Sequence, residues 1–159
     1  MKKQATLVHA TAVAIHGQGV LLTGASGSGK SDLAMRLIDR GAQLVCDDYC
    51  DIIDEDDAPL IVAKPSIAGQ IELRGVGILS MQPIARAPLA CILQLDRMPE
   101  RLPSDREFAE LAGWSVPTYP LAPFEPSAAI KAERLCQRII DAGRRPVRLV
   151  TPGYKRSMA

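Results

Sequence analysis

The sequence predicts one α/β domain built on a mixed sheet. Three observations carry this expectation. A glycine-rich loop, Gly24–Gly29, stands between an apolar strand-like run and a helix with an apolar stripe. The order along the chain is strands, one helix, mostly strands again, then a last helix, which is not the regular alternation of a doubly wound parallel sheet. The chain has 159 residues, 47% of them hydrophobic, so a single core is affordable and whole-chain disorder is excluded.

The elements follow in order. Leu7–Ile15, rich in Val, Thr, Ile and Ala, reads as a strand. His16 is a turn residue, and Gly17-Gln18-Gly19 turns the chain into a second strand, Val20–Thr23. A helix over roughly Lys30–Arg40 carries Leu33, Ala34, Leu37 and Ile38 on one stripe, and Gly41 stops it. Leu44–Cys46 is a short buried strand ending at Asp47 and Asp48. Asp51–Asp57 holds five acids in seven residues and reads as a solvated hairpin turn rather than an ion site. Further strands are expected at Leu60–Ala63, Ile71–Leu73, Gly77–Met81 and Leu89–Leu95. Asp96–Pro126 is rich in Pro and charge, and reads as loop with a short helix near Glu107–Ala112. Ser127 is placed to cap a last helix whose face is Ala128, Ala132, Leu135, Ile139 and Ile140, and Gly143 ends it.

Composition excludes several functions. Nineteen basic and 18 acidic residues leave a net charge of +1, and aromatics are 4%, which argues against nucleic acid or membrane as partner. No apolar run reaches membrane-spanning length. The opening Lys2-Lys3 pair before an apolar stretch mimics a leader, but His9 and His16 interrupt it, so strands and a cytoplasmic protein are expected. Cys46, Cys50, Cys91 and Cys136 include no CxxC pair and no nearby histidine partner, so they read as buried thiols rather than zinc ligands.

Gly24-Ala25-Ser26-Gly27-Ser28-Gly29-Lys30-Ser31 matches the phosphate-binding G-x-x-x-x-G-K-[ST] loop in full. Glycines let backbone N–H groups converge on phosphates, and the helix start adds partial positive charge. Lys30 is expected to reach the β- and γ-phosphates, and the Ser31 hydroxyl to bind Mg²⁺. The loop alone does not name a reaction, although the absence of an N-K-x-D tetrapeptide speaks against a GTPase.

Phosphoryl transfer needs a second acidic group and benefits from a base. Asp47 and Asp48 close an apolar strand, at the edge where open α/β sheets bind ligands. Adjacent residues alternate faces, so one of the two points readily at a γ-phosphate. Standing alone, the pair is also an ordinary strand-to-turn feature. Glu72, from spacing, is a surface residue before a glycine turn.

At these residues the sequence resembles the catalytic domain of HPr kinase/phosphorylase. The loop is followed by Asp32, the next strand ends in Asp47-Asp48, and Glu72-Leu73-Arg74-Gly75-Val76-Gly77-Ile78 is similar to the family's E-I-R-G-x-G-I signature. His9 holds the place of a histidine before the loop. The resemblance implies a phosphoenolpyruvate-carboxykinase-like topology, one catalytic domain over 1–159 without the N-terminal regulatory domain, and assembly as a homo-oligomer, in the family a hexamer. It implies ATP and Mg²⁺, and transfer to a serine of the phosphocarrier protein HPr. Lys30 would stabilise the transferring group, and Ser31 and Glu72 would hold Mg²⁺ with support from Asp47. Asp48 would be the general base, His9 would sit at the site, and Arg101 would be the catalytic arginine, with Arg97 its rival. The family's P-V-R-P-G-R segment, tied to phosphorolysis, aligns with Pro120-Leu121-Ala122-Pro123-Phe124-Glu125-Pro126, where both arginines are gone. A P-loop small-molecule kinase, or a nucleotide sensor without turnover, are the competing functions.

Overall fold

The computed structural model describes residues 4–149, so Lys2 and Lys3 lie outside the described residues. The strands are β1 (Ala5–Val8), β2 (Thr11–Ile15), β3 (Gln18–Thr23), β4 (Gln43–Cys46), β5 (Cys50–Glu55), β6 (Ala58–Ala63), β7 (Gln70–Leu73), β8 (Gly77–Ser80), β9 (Arg86–Gln94), β10 (Phe108–Leu111), β11 (Trp114–Pro120) and β12 (Val147–Arg148). The helices are α1 (Lys30–Asp39) and α2 (Ala128–Asp141). Ten strands form one mixed sheet, and β7 and β8 form a separate ribbon. The fold is therefore α/β with a mixed sheet, as expected.

Strand β3 lies in the middle and is buried on both faces. Val20 and Leu22 point into a core with Leu33, Leu37, Ala132 and Ile139 from the two helices. Leu21 points the other way, toward Val45, Ile52, Ile61, Trp114 and Val116. The 180° alternation of strand side chains makes this two-sided core from consecutive apolar residues. The β2–β3 hairpin closes on His16 and Gly17, both with positive φ (48° and 79°), the geometry a two-residue loop requires. The stripe of α1 is as expected, and Gly41 ends it with φ +109°. Ser127 stands at the start of α2 without a side-chain capping bond, and Ile140 of the expected apolar face is exposed.

Four local expectations are corrected. Leu7–Ile15 is not one strand. It breaks at His9 and Ala10, so that β1 pairs with β5 while β2 pairs with β3 and β4. The helix expected near Glu107–Ala112 is instead strand β10, hairpinned to β11 through Ala112 and Gly113 at φ 50° and 84°. Pairing with β11 half-buries Ala109 and Leu111 and leaves Phe108 and Glu110 exposed, and this tertiary partner wins over the helical propensity of the segment. Two stretches of the expected 96–126 loop, Phe108–Leu111 and Trp114–Pro120, are therefore sheet. Finally, Cys46 and Cys50 are joined in a disulfide, with Cα atoms 5.7 Å apart, rather than free. Cys91 and Cys136 are free, buried and 3.6 Å apart, as expected of apolar thiols. Their mutual contact and burial push the Cys91 thiol well up.

The acidic hairpin behaves as a solvated turn. Asp56 and Asp57 take the positive-φ corner, while Glu55 pairs with Arg86 at 2.7 Å and Asp54 with Arg148 at 2.9 Å.

Candidate active site

Strand β3 delivers the glycine loop directly to the start of α1. Gly29 takes φ +94°, and a Cβ there would meet the Phe124 ring at 3.0 Å. Both facts demand glycine at this position. Lys30 is 7% exposed, and its Nζ donates to the carbonyls of Gly24 (2.7 Å) and Ala25 (3.1 Å), which stretches the side chain across the loop. Ser31 Oγ donates to Asp47 Oδ1 at 2.7 Å.

Asp47 is the hub of the site. Its Oδ1 also accepts from Thr11 Oγ1 at 2.9 Å, and its Oδ2 accepts from the Glu72 N–H at 3.1 Å. One carboxylate thus ties β2, α1 and the β7–β8 ribbon to the end of β4. With three charge-assisted bonds, its burial is compensated. Asp48 follows in the left-handed region at φ +67°, held there by its N–H donating to Thr11 Oγ1 at 3.2 Å. A non-glycine residue in this region is strained, although Asp tolerates it better than most. The turn sends the two carboxylates apart: Asp47 faces Ser31, and Asp48 Oδ1 lies 2.7 Å from His9 Nε2. The Cys46–Cys50 bond brackets this turn.

These groups border a cavity of about 620 Å³, lined by Ser26, Lys30, Ser31, Asp47, Asp48 and Glu72 among others. Arg74 and Val76, from the turn of the ribbon, and Phe124 also line it. The volume suits a small ligand. Its donors are hydroxyl and carboxylate oxygens, the hard set that Mg²⁺ prefers. Among the described residues no three of His, Cys, Asp or Glu converge as a metal cage.

The structure brings together Lys30, Ser31, Asp47, Asp48 and Glu72, with His9 bonded to Asp48. It does not bring Arg101. That residue lies exposed between β9 and β10, outside the cavity lining. Its rival Arg97 is held by Gln94 (2.5 Å) and Glu107 (3.0 Å) beside a different cavity. Ser28 of the loop also turns toward that second cavity. Sequence reasoning missed Thr11, a buried strand residue with no local signal. It also missed the Phe124 ring, which its neighbouring prolines concealed.

The HPr Serine kinase C-terminal domain model matches residues 2–87, just over half of the chain. An HPr kinase/phosphorylase of Enterococcus faecalis is 32% identical over 94% of this chain and 50% of its own length. One from Geobacillus thermodenitrificans is 46% identical over 48% of this chain and 25% of its own. The chain thus spans a quarter to a half of the curated relatives it matches. Among solved structures, the Hpr(Ser) kinase/phosphatase from Coxiella burnetii superposes with a TM-score of 0.74 at 28% identity, covering 87% of this chain and 98% of that one.

Proposed function

This chain belongs to the HPr Serine kinase C-terminal domain family, and from that premise we propose that it transfers the γ-phosphoryl group of ATP to a serine of an HPr-type phosphocarrier protein. The observation that carries the reading is the convergence of Lys30, the Ser31–Asp47 pair and the Asp48–His9 pair on one cavity. Chemistry for phosphoryl transfer is mostly positioning and charge stabilisation. Gly24–Gly29 is the P-loop that cradles the phosphates. Lys30 swings its ammonium from the loop carbonyls toward the β- and γ-oxygens. Ser31 and Glu72 would hold Mg²⁺, which would supply charge neutralisation at the phosphate oxygens. Asp47 orients the Ser31 hydroxyl and, through the Glu72 N–H, the ribbon that bears Glu72.

Asp48 accepts the proton of the acceptor serine as that oxygen bonds to the γ-phosphorus and the bond to the β-phosphate oxygen breaks, releasing ADP. His9, at 2.7 Å, fixes the Asp48 carboxylate in position for this. The phosphorolysis suggested by the relatives' name runs the same site with inorganic phosphate, giving pyrophosphate.

The test mixes the protein with γ-labelled ATP, Mg²⁺ and purified HPr from the same host. Label on an HPr serine is expected. ATP binding without any transfer to HPr would leave a nucleotide sensor instead.

A further inference from the structure

Cys46 and Cys50 flank the run Asp47-Asp48-Tyr49. The fold sorts the four cysteines into two unlike pairs. Cys91 of β9 and Cys136 of α2 are free thiols inside the core. Cys46 and Cys50 are bonded to each other across a sequence separation of 4. Closing so short a loop restrains the unfolded chain less than closing a long one, so the effect of this bond is mainly local. What it encloses is the carboxylate pair of the site.

The enclosed turn is strained. The Tyr49 N–H donates to the Asp47 carbonyl at 2.7 Å, which closes a three-residue turn centred on Asp48. With φ +67° at its centre, this is the rare form of such a turn. A conformation of this kind persists only where its surroundings over-determine it. No ladder does so here. Strand β4 closes one end of the strand order, β5 is next to last at the other, and the two are not paired. The Thr11 hydroxyl holds the Asp48 N–H, and His9 holds the Asp48 carboxylate. The covalent constraint is the Cys46–Cys50 bond.

The same surroundings also accept two free thiols. Cys50 Sγ lies 3.3 Å from the Ala10 carbonyl, next to His9. A disulfide sulfur has no proton to donate, so this contact becomes a hydrogen bond only when the bond is reduced. Both cysteines sit in an apolar cluster with Ala10, Ala12 and Val45, which suits the thiol form. We infer that Cys46 and Cys50 are a reversible redox site whose disulfide holds the Asp48 turn in its left-handed form. The effect on phosphoryl transfer rests on the reading of Asp48 as the base.

The co-reactant is a dithiol. Its thiolate attacks one of the two sulfurs, the protein S–S bond breaks, and a mixed disulfide forms while the released cysteine takes up a proton. The second thiol of the reagent then displaces the other cysteine. The protein gains two electrons and two protons as two thiols, and the dithiol leaves as a disulfide. Run backwards, the exchange restores the bond. Cys46 and Cys50 are 2% and 0% exposed, whereas Asp48 and Tyr49 between them are exposed. Access to the sulfurs therefore runs through lifting of this turn.

The experiment equilibrates the native protein with reduced or oxidised dithiothreitol. Cys91 and Cys136 are already free, so the reagent has one bond to act on. Alkylation with mass spectrometry counts free thiols at Cys46 and Cys50, amide hydrogen exchange follows Asp48 and Tyr49, and γ-labelled ATP follows transfer to HPr. Both thiols are expected to appear on reduction and to vanish on reoxidation. In the reduced protein, exchange at the two amides should quicken. Its kcat should fall about 10-fold, a part of the roughly 10²–10⁴-fold that a positioned base supplies, with ATP affinity unchanged. Cys50→Ser should behave as the reduced protein in either reagent. Sulfurs that stay unlabelled without denaturant would overturn the inference. So would a reduced protein whose amide exchange is unchanged, or whose transfer is unchanged or faster. Quickened exchange with no transfer to HPr in either form would overturn the kinase reading and leave the redox site standing.

Discussion

Replacing Thr11 by valine removes one hydroxyl and keeps the shape of the side chain. Thr11 is fully buried, and its hydroxyl does two things at once: it donates to the Asp47 carboxylate at 2.9 Å and accepts the Asp48 N–H at 3.2 Å. A hydrogen bond to a charged group contributes about 1.5–3 kcal/mol and a neutral one about 0.5–1.5 kcal/mol. The methyl that valine adds returns about 0.8 kcal/mol. The expected net loss is therefore about 1–4 kcal/mol, or a fall in Tm of roughly 2–16 °C for a domain of this size. Catalysis should suffer separately, because the Asp48 N–H loses the partner that holds its left-handed turn. Urea denaturation measures the first effect, and transfer to HPr at saturating ATP the second. Thr11→Ser keeps both bonds and should retain most of the activity. If the valine variant is within about 0.5 kcal/mol of the parent, a difference no larger than that of an ordinary surface substitution, the hub does not hold this turn. A serine variant that loses as much transfer as valine would show that the methyl, not the hydroxyl, matters.

Four further outcomes are expected. Asp48→Asn should retain ATP affinity and lose transfer, and a larger loss of transfer in Asp47→Asn would move the base to Asp47. Glu72→Gln should raise the Mg²⁺ concentration needed for half-maximal transfer, whereas an unchanged titration would return Glu72 to a surface role. Phosphorolysis of serine-phosphorylated HPr, measured as pyrophosphate, should be weak beside the kinase reaction, since Pro120–Pro126 lacks the arginines that bind a second phosphate and carries Glu125 instead; equal rates would show those arginines to be unnecessary. The hydrogen bond from Tyr119, with Arg138 and Arg144 nearby, holds the Asp105 carboxyl below its ordinary value. The contribution of that lowered group is complete above the ordinary carboxylate pKa of about 3.9 and is lost as pH falls through the folded value. The stability gap between parent and Asp105→Asn should thus be flat at neutral pH and shrink in acid, and a gap that widens in acid would reverse the assignment.

The site was legible in the sequence where its chemistry is local. Gly24–Ser31 carries its strand, its turn and its helix in one stretch, and Asp47-Asp48 ends an apolar run, so both could be placed from neighbours alone. Glu72 read as a surface residue from spacing, and only the family signature drew it toward the site. Its N–H bond to Asp47, across 25 positions, is a tertiary fact that no periodicity announces. Thr11 was invisible for the same reason, since its two bonds reach 36 and 37 positions away. Phe108–Leu111 shows a different failure. Its helix-compatible residues were overruled by a partner strand that lies beyond a positive-φ turn at Ala112 and Gly113. Arg101 was placed by a short motif, and it lies exposed between β9 and β10 outside the cavity lining.

Strand β9 has a consequence for where this chain can be cut. The family-model match stops at residue 87, the second residue of β9. Residues 86–88 pair antiparallel with β6, while residues 89–94 run parallel to β3. A fragment trimmed to residues 2–87 would leave β3 with a free edge beside Val20, Leu21 and Leu22, all fully buried in the intact chain. Unpaired apolar edges recruit other strands, so such a fragment is expected to aggregate when expressed. The family-model match and the sheet that encloses β3 end at different residues, so truncations meant to keep the glycine loop intact belong beyond β11.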